Sequence, residues 1–209
     1  GGALSAPLVA LVQARVGRKR SFQLGLLVAA LSAGLCAWAV SAHQFWLLVA
    51  ATLVAGFYSA NGQLYRFAGP ELVAAAYKEK AISLVLAGGI IGAFIGPNLA
   101  SATRGLMEVP FAGAYISLIG VALLSLVLLS FIEFPPHVAP KPGASSGRPL
   151  SEIARQPVFI VAVAAGALGY GVMNLLMAAT PIAMQQCKHP FSSAALVLEW
   201  HVLGMFVPS

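Results

Sequence analysis

The sequence predicts an all-α polytopic membrane protein, and three observations carry that prediction. Of 209 residues, 59% are hydrophobic and only 9% are charged. Mean hydropathy is +0.88. Several stretches near twenty residues long hold no charge at all. A soluble domain carries roughly 25% charged residues, so a water-facing surface cannot be covered with this composition. An ordinary soluble enzyme and a disordered chain are both excluded. The 21 glycines and 13 prolines suit membrane helices, which tolerate both residues better than soluble helices do.

A bilayer core needs roughly 20 apolar residues in a helix rising about 1.5 Å each. Five charge-free stretches meet that length: 21–40, 45–65, 81–100, 111–132 and 157–184. Two shorter runs, 1–12 and 194–208, read as truncated spans, so the sequence is expected to be an internal piece of a longer protein. Charge alternates between the connections. Arg15, Arg18, Lys19 and Arg20 fall in the first, Arg66, Lys78 and Lys80 in the third, and Lys141, Arg148 and Arg155 in the fifth. The intervening loops hold only Arg104 and Lys188. Ten cations against two, kept in phase over seven passes, place the loops 14–20, 66–80 and 133–156 in the cytoplasm by the positive-inside rule. The +6 charge surplus is thereby assigned to membrane topology rather than to nucleic acid.

The segment 133–156 differs from the other loops. Pro135, Pro136, Pro140, Pro142 and Pro149 surround a Gly/Ala/Ser run at 143–147, the composition of an extended linker rather than a hairpin turn. A short helical turn is expected at 151–155, before the next span.

The first basic connection reads Arg15-Val16-Gly17-Arg18-Lys19-Arg20, a glycine inside a tight cationic turn. It resembles motif A of the major facilitator superfamily, G-x-x-x-D-R-x-G-R-K, which lies between that family's second and third helices. Arg15, Gly17, Arg18 and Lys19 match its second part; Ala10 stands for the first glycine and Ala14 for the aspartate. In the family that aspartate helps lock one conformation, so the resemblance leaves this inner gate without its acid. Further on, Gly88, Gly92 and Gly96 recur every four residues and Pro97 follows, a helix face bare of side chains with a bend at its end. Gly92-x-x-x-Gly96-Pro97 resembles motif C, the antiporter motif of the fifth helix in exporters of the same family, with Ala100-Ser101 in place of its trailing glycine pair.

The order of these features matches the family from late helix two to mid helix eight of twelve. The resemblance implies that 1–133 belongs to the N-terminal six-helix bundle, 134–156 is a cytoplasmic inter-bundle linker, and 157–209 starts the C-terminal bundle. It also implies secondary transport of a small organic molecule by alternating access in the inner membrane, with proton-coupled export as the leading direction. An importer or facilitator is the alternative, because motif A lacks its aspartate and the second complete span holds no arginine before Arg66, where the family's motif B has one. A non-transporting sensor or assembly subunit that keeps the fold is the rival from another class.

Polar groups inside spans are the remaining candidates. Glu199 costs roughly 2.5–3.5 kcal/mol to insert if charged at mid-membrane, so it and His201 are candidates to carry a coupling proton. His201 is about 200° further round the helix, so the two do not share a face. Tyr58, Asn61 and Tyr65 are spaced i, i+3 and i+7, and Tyr170 and Asn174 i, i+4 with Met173 and Met177 beside them. Mixed aromatic, amide and thioether surfaces of this kind suit a cavity that holds organic solutes, with interhelical hydrogen bonding as the alternative role. His43, His137 and His189 read as solvated loop residues. Without any aspartate there is no Ser/His/Asp set, and there is no phosphate-binding loop; Cys36 and Cys187 fit no metal spacing. No cofactor, metal or enzymatic activity is expected. The expected partners are the lipid bilayer, the solute and protons, and no oligomeric state follows.

Overall fold

The computed structural model describes residues 1–136 and 148–206. Every regular element among them is helical: α1 (Gly2–Val16), α2 (Arg18–Ser41), α3 (Phe45–Gly62), α4 (Tyr65–Ala68), α5 (Lys78–Thr103), α6 (Ala112–Ser130), α7 (Leu150–Ala154), α8 (Pro157–Gln186) and α9 (Phe191–Phe206). Five helical segments are long and apolar enough to cross a membrane: Arg18–Ser41, Phe45–Glu71, Ala75–Thr103, Ala112–Ser130 and Pro157–Gln186. They coincide with the five predicted spans. The short helix expected at 151–155 is α7. The middle of the predicted linker, 137–147, and the last three residues lie outside the described residues.

Within the span predicted over 45–65 the helical hydrogen bonding is interrupted: α3 ends at Gly62 and the chain turns through Gln63 and Leu64 before α4 begins, the whole run Phe45–Glu71 remaining one membrane-length segment. Charge-free length measures how far a chain can run in lipid; it does not register where the helical hydrogen bonds stop.

The chain divides into two compact units. One holds the helices before the linker together with α9 from Glu199 on; the other holds α7, α8 and α9 as far as Leu198. In the first unit α2 is central, packing along α3 on one side and α6 on the other, while α1 lies on α3. The reason is visible in α2 itself. Its buried positions Ser21, Gly25, Ser32, Ala33, Cys36 and Ala37 are all small, which lets helix backbones approach where there is no hydrophobic drive between them. At one end Phe22 and Leu26 replace the small residues and pack with Ala68 and Leu129. The Phe22 ring lies against Tyr65, with centroids 4.4 Å apart, and meets Phe134 edge-on at 6.0 Å. The opening residues of the linker are thereby seated on α2.

The turn from α5 to α6 is tight. Phe111 adopts a left-handed backbone, φ 69, at the start of α6 and donates its N–H to the Arg104 carbonyl at 2.9 Å. A Cβ at Gly113 would collide with the Thr103 carbonyl oxygen, so only glycine permits this approach of α6 to the end of α5. Thr103 Oγ1 and Ser117 Oγ face each other across the pair at 3.5 Å. In the second unit α8 carries no buried residue, as expected of a span whose neighbours are lipid or further helices.

Candidate functional site

The basic turn is built around Gly17. Its φ of 82 and ψ of 169 lie where only glycine is unstrained, and this conformation ends α1 and starts α2 one residue later. The turn gathers Arg15, Arg18, Lys19 and Arg20 on the rim of a cleft of about 1020 Å³, whose wall also includes Glu71, Lys78 and Pro135. Two of the cations are committed. Arg18 Nη2 pairs with Glu71 Oε1 at 3.0 Å, and Lys19 Nζ donates to the Ser130 carbonyl at 2.9 Å. Gln23 Nε2 adds a bond to Ser130 Oγ at 3.2 Å. A cation at the carbonyl end of α6 is favoured by the helix dipole, so Lys19 ties the turn to α6 while Arg18 ties it to the segment after α3.

Sequence reasoning missed Glu71. Ala14 removes the acid that motif A would carry within the turn, yet a carboxylate reaches Arg18 from the third connection. The available signal was Gly69-Pro70-Glu71, an acid in a loop assigned to the same side as the basic turn.

The cavity candidates separate. Tyr58 lines a cavity of about 210 Å³ enclosed by α2, α3 and α6, together with Cys36, Thr52, Tyr115 and Ser125. Asn61 is elsewhere: it is fully buried, its Oδ1 accepts from Ser21 Oγ at 3.0 Å and its Nδ2 donates to the Phe57 carbonyl at 3.1 Å. It is an interhelical hydrogen-bond group joining α2 to α3. Tyr65, on α4, packs on Phe22 as described above. On α8, Asn174 Nδ2 donates to the Tyr170 carbonyl at 2.8 Å, and the Tyr170 side chain is exposed.

Gly88, Gly92 and Gly96 form the bare face predicted for α5, with Pro97 inside the helix. A Cβ at any of the three would meet nothing within 4 Å, so among the described residues no neighbour occupies that face. Beyond Pro97, Asn98 Nδ2 donates both to the Phe94 carbonyl at 2.7 Å and to Glu199 Oε2 at 2.9 Å. Glu199 thus has a partner on α5 that the sequence reading did not name. His201 keeps Nε2 buried with no hydrogen-bond partner among the described residues. No group of three or more metal-ligating side chains occurs among the described residues.

The family profile described as Major Facilitator Superfamily matches residues 1–208. The chain belongs to the Major Facilitator Superfamily. It is a helical, multi-pass membrane protein of a family that moves small molecules. Among curated relatives it is 40% identical over 212 residues to the riboflavin transporter RfnT of Brucella anthropi, covering 100% of this chain and 53% of that protein. Two uncharacterized MFS-type transporters of Bacillus subtilis, YddS and YdeG, are 26% and 25% identical, again over 100% of this chain and 51% and 52% of theirs. The chain spans about half the length of the curated relatives it matches. No solved structure matches it.

Proposed function

We propose that the full-length protein carries riboflavin, or a solute with a similar planar ring system, across the bacterial inner membrane by alternating access. The observation that carries this reading is the 40% identity, along the whole chain, to a protein named as a riboflavin transporter. Chemistry supports it: the exposed Tyr170 ring beside Asn174 on α8 offers an aromatic face and an amide to a flat solute bearing donors and acceptors on one edge. In this proposal the basic loops are cytoplasmic, the linker 134–156 joins two six-helix bundles, and the Arg18–Glu71 pair serves as part of the inner gate.

The finer part of the proposal is proton-coupled export. It rests on the Gly92-x-x-x-Gly96-Pro97 pattern and on Glu199 as the group that takes up the coupling proton, with His201 as the second candidate. Uptake or facilitated diffusion is the second reading, favoured by Ala14 and by the lack of an arginine in α3. Radiolabelled riboflavin, full-length protein and two vesicle orientations decide among them. Accumulation in energised everted vesicles, lost with a protonophore and in Glu199→Gln, is the expected result. Accumulation only in right-side-out vesicles replaces export with uptake, protein-dependent equilibration without accumulation replaces it with facilitated diffusion, and no protein-dependent movement in either orientation refutes riboflavin as the solute.

A further inference from the structure

Asn98 stands one residue beyond Pro97. Pro97 has no N–H, so the Ala93 carbonyl lacks its helical donor and α5 is weakest there. The three glycines before it carry no bracing neighbour among the described residues. The last turn of α5, Asn98 to Thr103, therefore follows a built-in flexure.

Across that flexure the Asn98 side chain is held in one orientation. Its amide nitrogen faces two oxygens that only accept, the Phe94 carbonyl at 2.7 Å and Glu199 Oε2 at 2.9 Å. Turned over, the amide oxygen would confront both. The bond to Phe94 belongs to α5 itself and fixes the amide; the remaining N–H then specifies where the Glu199 carboxyl stands. No ionisable residue lies on α5 between Lys80 and Arg104, so within that stretch the contact that α5 offers Glu199 is a neutral amide.

We propose that Asn98 is the positioning residue of Glu199: its amide ties α9 to the last turn of α5, and the tie breaks and re-forms in each transport cycle. This rests on the transport reading above, with Glu199 as its working carboxyl. A hydrogen bond between membrane helices shifts a two-state equilibrium by roughly three- to tenfold, which sets the size of the effect. Removing the donor leaves solute affinity at the cavity unchanged and alters turnover.

The test uses the full-length protein, with native cysteines replaced by Ser, in lipid nanodiscs and proteoliposomes. Spin labels on Leu106→Cys and His189→Cys report the distance between the turn after α5 and the turn before α9, with no solute required. Asn98→Ala and Glu199→Leu are expected to shift the distance populations by three- to tenfold, while Glu199→Gln, which keeps an accepting oxygen, stays near the parent distribution. Riboflavin flux is expected to show altered kcat with unchanged KM in Asn98→Ala. The pair Asn98→Cys with Glu199→Cys is expected to be bridged by a short, reducible bis-thiosulfonate linker that stops flux until it is reduced, which covers the case of an unstable alanine variant. Unchanged distance populations in Asn98→Ala, or no bridging by linkers of any short length, overturn the proposal. Shifted populations with no riboflavin flux in any variant leave the positioning role standing and refute the solute instead. Shifted populations with flux that ignores a protonophore refute the proton coupling alone.

Discussion

Asn61 gives the sharpest test of how this bundle is held together. Its side chain is fully buried, accepts from Ser21 Oγ at 3.0 Å and donates to Phe57 O at 3.1 Å. Asn61→Ala removes the acceptor and leaves the Ser21 hydroxyl without its partner in a site from which water is excluded. An unsatisfied buried polar group costs about 1–3 kcal/mol. Interhelical bonds in membranes average about 0.6 and reach about 1.7 kcal/mol, and the Ser21 hydroxyl is able to turn back to a carbonyl of its own helix. The lost amide also leaves a small void. Together these place the loss near 2 kcal/mol. Ser21→Ala removes a donor and leaves the Asn61 oxygen unpaired, so the double variant costs less than the two single losses added. The coupling energy is expected to be about 1 kcal/mol. The assay is reversible unfolding of the full-length protein in mixed micelles against rising detergent denaturant, with KM for the proposed solute measured alongside. A cost below about 0.5 kcal/mol, or zero coupling to Ser21, refutes the assignment of Asn61 to the α2–α3 interface. An altered KM with unchanged stability refutes it more directly and returns Asn61 to the solute path.

Other expectations follow from the same geometry. Exchanging the charges with Arg18→Glu and Glu71→Arg restores the flux that either single reversal reduces; the stability cost of each single change stays within about 1 kcal/mol because the pair is half-exposed, and failure of the exchange refutes a direct pair. Cys187 is exposed and Cys36 buried, so a maleimide labels the folded protein at Cys187 at least about tenfold faster; equal rates at the two thiols refute the packing of α2. Gly92→Leu preserves folding and insertion, because nothing lies within 4 Å of a Cβ there, yet stops flux in the full-length protein, where the bare face is expected to receive another helix. Normal flux in that variant refutes a working role for the face. Gly17→Ala strains a backbone that only glycine adopts freely, costing about 1–3 kcal/mol, and is read as a lowered unfolding midpoint with the cations of the turn still present.

The spans were legible because they depend on local composition. A run of twenty apolar residues has no other stable place, and the alternation of Arg15–Arg20, Arg66–Lys80 and Arg148–Arg155 with nearly neutral loops counts the crossings independently. Gly17 was legible for a related reason: glycine and its cations are neighbours in sequence, and the turn they make is local. Pairings over distance were not. Asn98 and Glu199 are 101 residues apart, and Arg18 and Glu71 belong to different connections. Hydropathy marks such polar residues as costly in lipid but does not say which of them meet. Asn61 shows the same limit on a smaller scale. Helical spacing placed it near Tyr58, but only the packing of α2 on α3 decides that one faces a cavity and the other a neighbouring helix. The break after Gly62 escaped notice because no proline or charge marks it.

The clamped turn between α5 and α6 has a mechanical consequence. With Gly113 pressed to the Thr103 carbonyl, and Thr103 facing Ser117, the two helices are joined at that end like the arms of a lever with a stiff elbow. Movement of the last turn of α5 is handed to α6, which runs about 28 Å back through the bilayer and ends at Ser130. There Lys19 and Gln23 grip it. A change at one face of the membrane thus has a material route to the basic turn at the other, made of a single helix and three hydrogen-bonded side chains.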